Sequence, residues 1–276
     1  MAGSTVPSVT LNDGHQIPQL GFGVFKVPDE ETQRAVEQAF EAGYRSIDTA
    51  SLYRNERGVG AAVKASGIPR DELFITSKVW NDAQGQEKTA RSFDESLERL
   101  GLDYLDLFLI HWPVPSQDLY VETWQALAEL RGDGRVKSIG VSNFEPAHLD
   151  RLTAETGVVP AVNQVELHPY LTQQAVREYG AANGIVTESW SPLAKGGDLL
   201  SEPVLEQIAK RHGKTPAQVV IRWHLQLGCV VIPKTVTPSR ARENFDVFGF
   251  DLTEADLNAI SALDRDGRTG PDPDQM

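Results

Sequence analysis

Eight short apolar runs, each separated from the next by a stretch with helical spacing, constrain this 276-residue chain more than any other feature. The strand-length runs begin at Gln19, Arg45, Leu73, Leu105, Val136, Ala161, Ile185 and Val230. Helical stretches are expected at 28–42, 56–65, 87–100, 119–131, 146–155, 172–183, 203–212, 216–226 and 239–245. Helix starts are marked by acids or proline, as in Pro28-Asp29-Glu30-Glu31, and Gly43 stops the first helix. Short connections between alternating strands and helices force parallel pairing with crossovers. Eight such units predict a (β/α)8 TIM barrel. Ahead of them, Val6 to Leu11, the turn Asn12-Asp13-Gly14 and His15 to Pro18 read as a β-hairpin that plugs the bottom of the barrel.

No linker or composition shift divides the chain, so residues 1–276 are expected to form one domain, with a flexible tail over 265–276 where Gly267, Gly270, Pro271 and Pro273 cluster. A doubly wound nucleotide-binding sheet is the competing fold. It would place a G-x-G-x-x-G turn after its first strand. The nearest candidate, Gly58-Val59-Gly60, lies inside an expected helix.

The net charge of −13 disfavours nucleic acid and anionic membranes as partners. Cys229 is the only cysteine, which suits a reducing compartment. Met1 to Pro7 lacks the basic and apolar regions of a signal peptide, and no apolar stretch approaches the ~20 residues that span a bilayer. The expectation is a cytoplasmic protein without an obligate protein partner.

Three of the runs end in ionisable residues: Asp48, Lys78 and His111, with Tyr53 five positions after the first. On a barrel, these lie on the rim where chemistry is built. A phenol titrates near ~10 and is a poor acid unless a cation favours its phenolate. Lys78 would supply that cation, and Asp48 would keep Lys78 charged and aimed. His111 could hold a substrate oxygen from the other side. Together they could polarise a carbonyl and protonate it as it becomes an alkoxide. The missing reactant is a hydride, which no side chain supplies and a nicotinamide cofactor would. Taken singly, each residue is more often a loop start, an ion pair or a packing histidine. Their coincidence on one rim is what carries weight. No cluster has metal-ligand spacing.

These residues lie in segments that resemble one family. Asp48-Thr49-Ala50-Ser51-Leu52-Tyr53-Arg54-Asn55-Glu56 resembles the signature around the active-site tyrosine of the aldo-keto reductases. Ile75 to Trp80 resembles the family's lysine strand, and Asp103 to Pro113 its histidine strand. Ile139 to Phe144, Asn163 to Pro169 and Ile232-Pro233-Lys234 also match. The resemblance runs from about Val9 to Leu263 and looks like bacterial members of the 2,5-diketo-D-gluconate reductase type.

The resemblance implies a monomeric reductase using NADPH (NADP+), with Tyr53 as general acid, Lys78 and Asp48 tuning it, and His111 orienting the carbonyl. It implies that Ser142, Asn143 and Gln164 hold the nicotinamide carboxamide, that Trp190 stacks on the ring, and that Ser191 and Leu193 follow the pyrophosphate. Lys234, Thr235 and Arg240 match the 2′-phosphate cluster, and Glu243 and Asn244 the adenine end. The family more often has serine at the position of Thr235, which keeps the hydroxyl. The substrate pocket is expected from Phe22, Val24, Trp80 and Trp112, and the substrates are small aldehydes, ketones, dicarbonyls or keto-sugars. Two alternatives stay open: a glycoside hydrolase on the same barrel using Glu166 and Glu188, and an NADPH-sensing module without turnover.

Overall fold

The computed structural model describes residues 6–276. Eight parallel strands form one sheet in chain order: β3 (Phe22–Gly23), β4 (Ser46–Asp48), β5 (Phe74–Val79), β6 (Leu105–Ile110), β7 (Val136–Ser142), β8 (Val162–Glu166), β9 (Val186–Trp190) and β10 (Val230–Val231). The first and last strands meet through a parallel bridge between Leu20 and Val231 and bonds from Gly21 N to Val231 O (2.9 Å) and Val231 N to Gln19 O (3.0 Å). These contacts close the sheet into a (β/α)8 barrel.

Helices α1 (Asp29–Ala42), α2 (Glu56–Ser66), α3 (Gln86–Leu100), α4 (Tyr120–Gly132), α5 (Pro146–Thr156), α6 (Gln174–Ala182), α7 (Pro203–His212), α8 (Pro216–Gln226) and α9 (Pro238–Phe245) surround it. Their ends follow the sequence signals. Gly43 sits at φ +112°, where a β-carbon would also meet the Phe245 ring at 2.6 Å. Thr215 and Gln218 form a reciprocal capping box before α8. Gly58 and Gly60 serve helix packing: a β-carbon at Gly58 would lie 2.8 Å from Asp29 O, and one at Gly60 2.1 Å from Leu100 O.

The hairpin of β1 (Ser8–Thr10) and β2 (Gln16–Pro18) buries Leu11 and Ile17 against Phe74, Leu107, Val162 and Val230, residues near the strand starts. That apolar plug leaves the opposite rim for polar groups.

Two features depart from the sequence reading. A tenth helix, α10 (Glu254–Ser261), follows the barrel, capped by Thr253 and Asp256. The tail from Arg265 onward makes defined contacts that the sequence reading did not include. Thr269 and Gly270 bond Glu166, Lys195 donates to Thr269 O, Arg268 pairs with Glu145, and Pro273 is buried.

Candidate active site

Asp48 ends β4, Lys78 is the last residue but one of β5 and His111 directly follows β6, and the short 3₁₀ turn Ser51–Tyr53 brings the phenol over them. Lys78 is fully buried. Its Nζ donates to Asp48 Oδ1 (2.6 Å), Thr49 O (2.9 Å) and Tyr53 Oη (3.4 Å). The loop holding Tyr53 is fixed by buried Asn55, which accepts from Thr49 Oγ1 and donates to the carbonyls of Val24 and Val27. The His111 ring stands edge-on to Tyr53 (centroids 5.6 Å apart) and to Trp80 (5.0 Å).

The electrostatics follow from burial. Desolvation would depress the Lys78 ammonium, but Asp48, Tyr53 and Glu188 outweigh it and hold the pKa above the usual lysine value. Desolvation raises the Tyr53 phenol; Lys78 opposes this, while Asp48 and Glu188 reinforce it. The sequence led us to expect Lys78 to win. In the structure burial wins, so Tyr53 rests as a neutral phenol with its proton in place. Desolvation, then the Lys78 charge, drives His111 well below the ordinary imidazole value, so its ring is neutral.

Ser142, Asn143 and Gln164 converge beside this group. Ser142 Oγ donates to Gln164 O (2.7 Å), Asn143 Nδ2 to His111 O (3.0 Å) and Trp190 Nε1 to Asn143 Oδ1 (2.8 Å). Gln164 Nε2 is directed inward, to Asp48 Oδ2 (2.8 Å) and Glu188 Oε2 (2.7 Å). Ser142, Gln164 and Glu188 share one register across β7, β8 and β9.

Ser191 follows β9 at φ +49°, and Ala194 and Lys195 also adopt positive φ. Mixed left- and right-handed backbone of this kind can turn successive amides toward an anion. Partly buried Leu193 packs beneath that loop. Beyond β10, Lys234 and Arg240 are exposed and, among the described residues, form no salt bridge. Thr235 Oγ1 accepts from Thr237 N (3.1 Å). Glu243 is drawn instead into the protein, accepting from Thr215 Oγ1 (2.8 Å), and Asn244 is buried.

The pocket residues need correction. Phe22 points away from the rim: it packs edge-on against Tyr44, 5.4 Å away, in the layer between barrel and helices. Gly23, not Phe22, is in register with Asp48. Val24 is fully buried in the same core. The aromatic against Tyr53 is Phe25, 47% exposed with ring centroids 4.9 Å apart. Exposed Leu52 and half-buried Trp80 also border this rim; the cleft they share with Ser51 and Arg54 runs outward along α2 and α3, past Arg57, Lys88 and Arg91. Trp112 is buried, its carbonyl accepting from Gln84 Nε2 (2.7 Å). The second aromatic of the Gly-Phe-Gly-Val-Phe run was the available signal for Phe25.

The hydrolase alternative loses its carboxylates. Glu166 Oε1 accepts from Thr269 N (2.7 Å), the Thr269 hydroxyl and His168 Nε2 (3.0 Å), and Oε2 from Gly270 N (2.8 Å). Glu188 is buried beneath Gln164.

Known proteins resemble this chain over nearly its whole length. The aldo/keto reductase family model matches residues 19–265. An aldo-keto reductase of Mycolicibacterium smegmatis is 57% identical over 267 residues, covering 97% of both chains. Methylglyoxal reductase DkgA of Salmonella typhimurium is 53% identical, over 100% of this chain and 99% of its own. Among solved structures, a variant of Gox0644 in complex with NADPH superposes with a TM-score of 0.94 at 53% identity, covering 98% of each chain. An aldo-keto reductase of Bombyx mori in complex with NADP superposes with a TM-score of 0.91 at 34% identity, covering 98% of this chain and 96% of its own. With a family model over most of its length and full-length relatives above half identity, the chain belongs to the aldo/keto reductase family.

Proposed function

We propose that this protein reduces small aldehydes, ketones, dicarbonyls or keto-sugars to alcohols with NADPH, with Tyr53 as the general acid. The observation that carries the reading is the chain of contacts from Asp48 through the buried Lys78 to Tyr53. The relatives named for methylglyoxal reduction favour a small dicarbonyl as one substrate.

The residues fit the cofactor. Among the described residues Lys234 and Arg240 are cations without a salt-bridge partner, on a chain of net charge −13, as a 2′-phosphate requires. Thr235 offers a hydroxyl beside them. The half-buried Trp190 ring is fixed through its indole N–H and would lie against the nicotinamide. With Gln164 Nε2 committed inward, its Oε1 is left to accept from a carboxamide N–H. Ser142 and Asn143 border the same place. The Ser191–Lys195 backbone would face the pyrophosphate, with Leu193 supporting it. The bound nicotinamide would supply the hydride.

The protein's own part is to orient and protonate. Neutral His111 donates one ring N–H toward the carbonyl oxygen. Tyr53 Oη transfers its proton to that oxygen as negative charge grows there, and Lys78 stabilises the phenolate left behind. Phe25, Leu52 and Trp80 form apolar walls that shield the reacting carbonyl.

Tyr53→Phe tests this directly. Turnover should fall by ~10²–10⁴-fold with NADPH binding retained. Near-normal turnover would refute the acid assignment. Arg240→Ala should weaken NADPH by ~10–100-fold, the loss of one charged hydrogen bond, while leaving NADH nearly unchanged. Equal loss for both would exclude the phosphate role.

The rest of the reading is one catalytic domain acting as a cytoplasmic monomer; among the described residues no helix is long and apolar enough to cross a membrane.

A further inference from the structure

Glu188 has no part in the reaction just described, yet it is joined through Gln164, Asp48 and Lys78 to the group that performs it. Its Oε2 accepts from Gln164 Nε2 at 2.7 Å, and the same nitrogen donates to Asp48 Oδ2 at 2.8 Å. One amide nitrogen therefore lies between two carboxyl groups, both buried inside the barrel. The second oxygen of Asp48 holds Lys78 at 2.6 Å, and Lys78 reaches Tyr53. Asp48 thus has a cation of its own. Glu188 has none: among the described residues it forms no salt bridge, and its register neighbour on β10 is Val230.

We propose that Glu188 is a positioning residue of the proton-donating centre, its protonation state governing how readily Tyr53 releases its proton. The inference rests on Tyr53 being the acid.

The charged and titratable groups facing Glu188 are Asp48 on β4, Lys78 on β5 and Tyr53 on the turn after β4; from β8 it meets only the neutral Gln164 amide. With Glu188 protonated, Asp48 and Lys78 cancel and the cluster is neutral. With Glu188 ionised, the cluster carries a net charge of −1. A phenolate forming nearby is then opposed by one more negative charge in a low-dielectric interior. Tyr53 becomes a weaker acid, and carbonyl reduction slows. Desolvation first, then the Asp48 charge, place this switch near neutrality by pushing the Glu188 carboxyl up to about 7.

The geometry also explains why the switch acts on Tyr53 and leaves Lys78 charged. Ionised Glu188 strengthens the hold on the ammonium while it disfavours the phenolate. The two effects have opposite consequences for the two groups although they come from one charge.

The test compares wild type with Glu188→Gln, which keeps the shape and removes the titration. The single-turnover rate of reducing a small dicarbonyl with NADPH is followed between about pH 6 and pH 8. Wild type should lose up to ~10-fold across that range, the effect of about one pKa unit on the acid. Glu188→Gln should lack that step and stay near the low-pH rate. Infrared spectroscopy of the cofactor-free protein gives an independent reading. Wild type labelled with ¹³C-carboxyl glutamate should show a protonated-carboxyl stretch that disappears as pH rises through neutrality and is missing from the variant. Should the variant fail to fold, the wild-type band decides alone. Superimposable rate profiles, or a wild-type protein with no titrating glutamic-acid band, would overturn the proposal. Neither result depends on Tyr53→Phe, whose retained activity would instead overturn the acid assignment.

Discussion

Glu166 and Glu188 end or nearly end adjacent strands of one barrel, both are about 1% exposed, and they behave in opposite ways. Desolvation raises both carboxyls. At Glu166 it is overcome by donors from His168, Thr269 and Gly270, which bring the pKa down to about 2. At Glu188 it is reinforced by Asp48, and one shared Gln164 amide is too little to offset it, so the pKa rises to about 7. Burial is common to both and decides neither. What differs is whether neighbours donate or repel. The first carboxylate anchors the C-terminal tail across the rim, and the second sits behind the reacting group.

The comparison can be broken by mutation. The largest effect is expected at Glu166→Ala, which leaves three backbone and side-chain donors of the tail without their acceptor. A depressed pKa stabilises the fold above the unfolded value of ~4.3 and loses that contribution as pH falls toward 2, a span worth ~3 kcal/mol. Urea unfolding at neutral pH should therefore show a loss of ~3 kcal/mol, shrinking in acid. Protease cleavage after Leu263 should also accelerate.

Glu188→Gln should have the opposite sign. Its folded pKa lies above the unfolded one, so the native state binds the proton more tightly between ~4.3 and 7 and stability declines as pH rises through that window. Removing the group should raise stability by ~1–3 kcal/mol at pH 8 and leave it nearly unchanged at pH 4. A variant that is less stable at pH 8 would contradict the unpaired-charge account.

The smallest effects sharpen the picture of the tail. A β-carbon at Gly270 would lie 2.6 Å from the Trp190 ring and 3.1 Å from Glu166 Oε2. Gly270→Ala should cost ~1 kcal/mol by overpacking and shift Trp190 fluorescence. Thr269→Val should cost ~1 kcal/mol, because the hydroxyl bond goes but the backbone N–H bond remains.

Much of the fold was legible because alternation with short connections leaves few topologies. β6, α7 and α8 occupy the residues that their sequence patterns suggested. The missed helix α10 carried a signal, Thr253 and Asp256 ahead of Leu257 and Ile260, that a search for βα units passes over. The contacts of the tail were not legible for a different reason. Gly and Pro content reports backbone freedom, whereas order at Thr269 and Gly270 comes from an acceptor 104 residues away in sequence at Gly270. Phe22 was assigned to the pocket because barrel strands are apolar on both faces, which removes the period that tells inside from outside.

The sequence alone determined the order of the elements, the polar rim with Asp48, Tyr53, Lys78 and His111, and the cationic segment around Lys234 and Arg240, since each is encoded by local pattern or by residue type. Only the tertiary structure decided that Tyr53 stays protonated at rest, that Phe25 rather than Phe22 borders it, and that Glu188 and not Glu166 is wired to the phenol. Those outcomes depend on which donors and charges meet across the barrel after closure. Electrostatic energy in a buried site is set by distances between groups far apart in the chain, and no linear spacing contains them.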